Sequence, residues 1–344
     1  MIGRRSVLRG GVSAGLAVFA GRSKAAEHEM FYWDNHAGFD FHGPQDIDLL
    51  DRWRAAGIGY LSVNVGYDPV PWTSTVRAIA DYTRQIESRS DMALCSTLAE
   101  IRRARRAGKM ALTFDIEGMG SLNGDLSMVE FYYKAGVRQM LIAYNLNNDA
   151  GGGCHDDDKG LTDFGRAVIL EMNRVGMTVD CAHSGIRSGL EAMKLSKKPC
   201  IFSHANARAL HEHQRNITDE QIKACAATGG VIGVNGVAPY LGDGPGSPEA
   251  MVAHIDYMVK LVGADHVGIG LDYDCGLDSI PDKETSDRYW PPALYPNSAN
   301  LEILAPDAFP AIERLLRAKG YREKDVRAIM GGNFQRIASQ VWAI

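Results

Sequence analysis

Eight short apolar runs alternating with amphipathic segments predict an α/β protein built as a (β/α)8 TIM barrel. Three observations carry that prediction. The runs are rich in β-branched residues and apolar throughout, which suits strands buried on both faces. Helical patterns separate them, which implies a parallel sheet, and eight strands are the number that closes a barrel. An open doubly wound sheet would need a glycine-rich phosphate loop after its first strand, and "NHAGFDFHG" (35–43) matches that poorly. The 344 residues suffice for one large barrel and show no fixed-period repeat and no break in composition.

The strands expected are 30–36 "MFYWDNH", 59–65 "GYLSVNV" extended to Gly66, 110–117 "MALTFDIE" and 139–144 "QMLIAY", then 177–183 "MTVDCAH", 199–204 "PCIFSH", 230–235 "GVIGVN" and 266–272 "HVGIGLD". Helices are expected over 45–56, 97–107, 163–174, 217–227 and 248–262, with 307–319 and 323–330 after the last strand. Thr162 is placed to cap the third of these, and Gly176 to stop it. Thr218 and Gln221 have capping-box spacing.

The N-terminus follows another pattern. "MIGRRSVLRGGVSAGLAVFAGRSKAAEHE" has a basic start, a short apolar stretch from Gly10 to Gly21 and then small residues. That is the order of a secretory signal, too short to remain as a spanning helix. Arg4-Arg5 give it a twin-arginine character, with cleavage expected near Ala25 or Ala26. Residues 1–25 are therefore set aside as a leader, and 26–344 are taken as one domain of an exported, periplasmic protein. The leader holds Arg4, Arg5, Arg9, Arg22 and Lys24 and no acid, so the rest carries 32 Lys and Arg against 42 Asp and Glu. That acidic balance argues against nucleic acid as a partner. No later stretch is long enough to cross a bilayer. None of the six cysteines forms a CxxC pair, which disfavours a thiolate zinc cluster. Cys181 and Cys200 lie in strand-like runs and read as buried thiols.

The reactive residues fall at strand ends. His36, Glu117, Tyr144, His183, His204 and Asp272 each close one of the predicted strands. A barrel brings all such ends to one mouth, so three imidazoles, two carboxylates and a phenol converge there. Imidazole with carboxylate suits zinc. His155, His211 and His213 sit in polar loops, His254 lies on a helix, and His266 begins the last strand at the opposite end of the barrel.

Several stretches resemble the membrane (renal) dipeptidase family of amidohydrolase-type metal-dependent hydrolases. They are "DIEG", "YNLNN", "GLTDFGRAVILEMNRVGMTVDCAHSG", "SHANARALHEHQRNITDEQIKACAATGGVIGVN", "HVGIGLDYD" and "GGNFQRI", which span most of 110–340. The resemblance implies zinc bound by His36, Glu117, His183 and His204, with Glu117 bridging two ions. It implies that Arg215, in "HQRN", binds the carboxylate of a small peptide substrate, and that Asp272 handles the proton of the attacking water and the departing amine. Tyr144 stands where some members carry a substrate-contacting histidine, and a tyrosine can donate to a developing oxyanion. Asn333, in "GGNF", also matches, as would a turn residue. The segment "RYWPPALYP" (288–296) reads equally as a lid or as a packed surface loop.

One position departs from the family. His-x-Asp is expected at the end of the first strand, and here it reads His36-Ala37-Gly38. Glycine cannot ligate, so the His36 side is expected to be the weaker, with Glu117, His183 and His204 the complete set. Asp34, Asp115 and Asp40 are the candidate replacements, Asp34 and Asp115 lying about 6.6 Å deeper on the faces of His36 and Glu117. The resulting expectation is an exported zinc dipeptidase that cleaves an amide with zinc-activated water. The alternative is a periplasmic protein of the same fold that binds or tailors a peptide metabolite with reduced or no dipeptidase activity. A homodimer is left open.

Overall fold

The computed structural model describes residues 30–39, 44–274, 282–295 and 301–342. The expected leader, Asp40 and Cys275 lie outside these residues. The described chain forms a ten-stranded parallel sheet in which each predicted strand has its counterpart. The strands are β1 (Tyr32–Gly38), β2 (Ile58–Tyr67), β3 (Met92–Leu94), β4 (Met110–Glu117), β5 (Val137–Leu141), β6 (Thr178–Asp180), β7 (Ile201–Phe202), β8 (Val231–Val234), β9 (Val267–Ile269) and β10 (Tyr273–Asp274). Their order is β10-β1-β2-β4-β5-β6-β7-β8-β9, with β3 on the early part of β4.

The sheet closes through one broken strand. Residues 267–269 pair with β8, and residues 273–274 pair with β1. Between them the Asp272 N–H donates to the His36 carbonyl at 3.2 Å. The break falls at Asp272, a non-glycine residue in the left-handed region at φ 60°. The result is a TIM barrel whose last stave changes neighbours at the residue expected to carry chemistry.

Helices pack outside the sheet and leave the strands buried on both faces. All eight residues of β4 are buried, as its uninterrupted apolar pattern implies. The Thr162 hydroxyl accepts from Gly165 N, and Gly176 ends that helix in the left-handed conformation. Thr218 and Gln221 form the reciprocal capping box. A 17-residue helix, Trp72–Ser88, and shorter ones at 128–134, 186–195 and 333–341 add to those expected. Asn333 donates to the carbonyls of Ala264 and Val267, which ties the C-terminal helix to the start of β9. Five cysteines are free thiols, all buried except the half-buried Cys154. No helix among the described residues is long and apolar enough to cross a membrane.

A bulge in β1 shapes the mouth. Asp34 pairs with Leu61 and Ala37 with Val63, so three steps on β1 face two on β2. The extra residue breaks strict alternation. Asn35 then bonds across the barrel to Gln139 on β5, while the next residue, His36, reaches Asp115 on β4. Two consecutive side chains thus enter the interior, and Asp34 is turned outward, where its carboxylate accepts from Trp53 Nε1 and Leu271 N, each at 2.8 Å.

Candidate metal centre

The six residues at the predicted strand ends meet in one place. Glu117 Oε1 lies 3.4 Å from His36 Nε2, 3.3 Å from His183 Nε2 and 3.4 Å from His204 Nε2. His183 Nε2 and His204 Nε2 are 2.9 Å apart. Asp272 reaches in with Oδ1 3.4 Å from His36 Nε2 and Oδ2 3.9 Å from His204 Nε2. His36, Glu117 and His204 offer ligand atoms that all lie within 4.8 Å of one another. The expected ranking, with His36 as the weak member, is not reflected in these distances. The bulge delivers its Nε2 as close to Glu117 as the other two.

Each imidazole is held by its second nitrogen. His36 Nδ1 faces Asp115 Oδ1 at 3.1 Å, and that carboxylate also accepts from Ser62 Oγ at 2.6 Å. His183 Nδ1 faces Asn145 Oδ1 at 2.6 Å, and His204 Nδ1 faces Ser203 Oγ at 2.7 Å. With its other nitrogen bonded in this way, an imidazole turns Nε2 toward the centre as a ligand.

The donor set fits a divalent cation. His36 Nε2 and Glu117 Oε1 are buried with no hydrogen-bond partner. Buried polar atoms left alone are costly, and a cation would take the lone pairs that three imidazole nitrogens and one carboxylate oxygen turn to this point. Zinc–ligand bonds of about 2.0–2.1 Å in a tetrahedron place neighbouring ligand atoms about 3.3 Å apart, close to the 3.3–3.4 Å separations around Glu117 though wider than the 2.9 Å between His183 and His204. Burial, with the positive charges of Arg215 and His36 nearby, holds His183 and His204 well below the ordinary imidazole range. Burial also pushes Glu117 well above the usual carboxylate range. For His36 burial acts downward, but the carboxylates of Asp115 and Glu117 outweigh it and raise the ring well above its ordinary value.

The candidate replacements for the acid missing at Gly38 divide differently from the expectation. Asp34 is turned outward by the bulge, so it shares no face with His36. Asp115 orients His36 through Nδ1 and is not aimed at the centre. The space beside Gly38 belongs to Asp274: a Cβ on Gly38 would lie 3.1 Å from Asp274 Cγ.

Arg215 is buried beside the centre. It is 2% exposed, with Nη2 donating to the His204 carbonyl at 3.0 Å and Nε 3.1 Å from His183 Nδ1. The Tyr144 ring stacks on His183 with centroids 4.1 Å apart, and burial pushes its phenol well above the usual range. Asp68, absent from the sequence expectation, accepts from Tyr144 N, Asn148 Nδ2 and Gly120 N, each at 2.9 Å. Asn235, also missed, donates to Asp272 Oδ2 at 2.8 Å. In the described part of the 288–296 segment, Arg288, Pro292 and Ala293 are exposed while its aromatic residues turn toward the mouth. Trp290 lies edge-on to Tyr144 at 5.6 Å, and Tyr295 is buried beside Tyr240 and Val237. His155 and His213 brace this segment through Tyr295 and the Leu294 carbonyl, while His254 and His266 bond backbone carbonyls.

Comparison with known proteins decides the family. Residues 45–289 match the model of the membrane dipeptidases, peptidase family M19. The chain belongs to the membrane dipeptidase family. As a member it is a metal-dependent dipeptidase, a hydrolase. It is 30% identical to an uncharacterised Klebsiella pneumoniae protein from the pqqA 5′ region, over 72% of this chain and 89% of that one. It is 35% identical to an uncharacterised dipeptidase of Schizosaccharomyces pombe, over 49% and 43% of the two chains. Among solved structures, an amidohydrolase from Pseudomonas aeruginosa superposes with a TM-score of 0.82 at 28% identity, covering 94% of this chain and 99% of that one. A Rhodobacter sphaeroides metallopeptidase liganded with a phosphinate mimic of L-Ala-D-Ala shares the fold, with a TM-score of 0.74 at 20% identity and coverage of 91% and 100%.

Proposed function

We propose that this membrane dipeptidase homologue is an exported zinc enzyme that hydrolyses the amide bond of a dipeptide or a dipeptide-like metabolite. The observation that carries the reading is the convergence of His36, His183 and His204 on one buried oxygen of Glu117 that has no other partner. His183, His204, Glu117 and His36 would hold the zinc. When bound, zinc acidifies water and polarises the carbonyl under attack.

The other roles belong to side chains. Asp272 is the acid beside the centre with a partly open side chain, 19% exposed. Its carboxylate takes the proton of the attacking water and returns it to the departing amine. Asn235 steadies one of its oxygens and leaves the other on the His36 side. Tyr144 stays protonated, so its hydroxyl can donate to the developing oxyanion. Arg215 supplies a planar cation for the substrate carboxylate. The Arg4-Arg5 leader supports export to the periplasm.

The test is purification of the exported form, a count of zinc per chain, and an assay over a panel of dipeptides that includes D-residues at the carboxyl side. Hydrolysis by zinc-loaded protein is expected. Asp272→Asn should lower kcat about 10²–10⁴-fold with zinc content unchanged. A mature N-terminus near Ala25 or Ala26 is expected from sequencing. Zinc-loaded protein inert across the whole panel would replace hydrolysis with binding or tailoring of a peptide metabolite.

A further inference from the structure

We propose that Asn145 is a positioning residue that decides which nitrogen of His183 carries the proton, and so whether Nε2 offers its lone pair to the metal centre. We further propose that it takes its own orientation from the segment over the barrel mouth, so that seating of 282–295 and cation binding at His183 are coupled. The proposal rests on the metal-site reading above.

The chain of contacts begins at Tyr289. Its backbone carbonyl can only accept, and it receives Asn145 Nδ2 at 2.9 Å. That bond fixes the amide, so the other atom, Oδ1, is the oxygen. The thiol of Cys154 donates to the same Oδ1 at 3.4 Å, which agrees with that assignment. Oδ1 then stands 2.6 Å from His183 Nδ1. An oxygen that close to a bare ring nitrogen would set lone pair against lone pair, so this contact favours a proton on Nδ1. The remaining nitrogen, Nε2, is left with its lone pair toward Glu117 Oε1.

Arg215 favours the opposite arrangement. Its Nε lies 3.1 Å from the same Nδ1 and would prefer an unprotonated nitrogen there. In that tautomer Nε2 carries the proton and points it at Glu117, and His183 cannot ligate. Two side chains therefore compete for one ring nitrogen, and the nearer one is held by the backbone of the cover. If the cover lifts, Asn145 loses the bond that orients it, and Arg215 can claim the ring. The backbone points the same way: Asn145 and His183 are both non-glycine residues in the left-handed region, at φ 58°. Asparagine enters that region readily, but a histidine there is held by its surroundings.

Glycine and aspartate both tolerate a left-handed position, so Asn145→Gly and Asn145→Asp separate the two halves of the idea. Asn145→Gly removes the acceptor, and the affinity for zinc, measured by chelator competition, should fall about 10–100-fold. Asn145→Asp keeps an acceptor for Nδ1–H but repels the Tyr289 carbonyl. It should hold zinc within about threefold of wild type while trypsin cuts faster at Lys283 and Arg288. Nitrogen NMR of histidine-labelled, zinc-free wild type, with His183→Gln for assignment, reads the tautomer without any change at Asn145, and Nδ1–H is expected. An Nε2–H tautomer would overturn the proposal, as would wild-type zinc affinity in Asn145→Gly or a loss in Asn145→Asp equal to that in Asn145→Gly. Wild-type protein that binds no zinc at all overturns instead the metal-site reading.

Discussion

His36 concentrates the electrostatics of the centre in one ring. Asp115 holds its Nδ1, and Glu117 and Asp272 approach its Nε2 within 3.4 Å. Without a cation, these acids raise the ring well above its ordinary value although burial acts the other way. A proton on Nε2 therefore competes with the cation for the same lone pair. The sign follows directly: lowering the pH fills the site with protons and weakens zinc, and raising it strengthens zinc until the ring has lost its proton. Titrations between pH 5 and 8 should show zinc affinity climbing, with protons released on binding. His183 and His204 contribute little to that release, because burial already keeps them neutral. A zinc affinity flat across this range would show that the acids around His36 do not hold a proton there.

Strands carry these residues into register, and β1 does so through its bulge. Ala37 is buried in the main core, and its partner Tyr273 packs edge-on against Trp53 at 5.6 Å, so that pair faces the helices. Gly38 and its partner Asp274 therefore turn to the mouth with His36. Gly38 is not in the left-handed region, and its nearest neighbour is the end of a side chain that can move. Gly38→Ala should thus cost less than about 1 kcal/mol in urea unfolding. Gly38→Asp adds a carboxylate on the His36 face and should tighten zinc uptake; unchanged zinc content and rate would show that the His36 side lacks no acid. Much of this was legible in the sequence. Eight strands could be read because burial on both faces leaves unbroken apolar runs, and their last residues named the centre. β3 and β10 were not among the strands expected. The bulge was illegible because it depends on pairing with β2, and so the outward turn of Asp34 was missed. Asp115, Asn145 and Asn235 act on residues far off in sequence that the fold brings close, and no local motif announces such partners.

At the scale of the whole barrel, the centre is also a lock on closure. The last stave leaves β8 and joins β1 across Asp272, and Leu271 N at that break donates to Asp34 of β1. Glu117 and His36 come from β4 and β1, and His183 and His204 follow β6 and β7. A cation shared by these residues ties staves from around the whole ring, and it binds only when all are in place. Ligands that bind the folded state alone add stability through mass action, about 4 kcal/mol when free zinc is a thousandfold above its dissociation constant. For a chain of this size each kcal/mol is worth about 2–4 °C in Tm. Chelation should therefore lower the Tm by on the order of 10 °C, and added zinc should restore it. Asp272→Asn should keep most of that zinc-dependent shift while losing turnover, because Asp272 serves the proton more than the cation. His204→Ala should abolish the shift, because it removes a nitrogen that faces Glu117 directly. Calorimetry with and without chelator on the three proteins separates the two duties, and a Tm indifferent to chelator in wild type would show that closure of the barrel owes nothing to the ion.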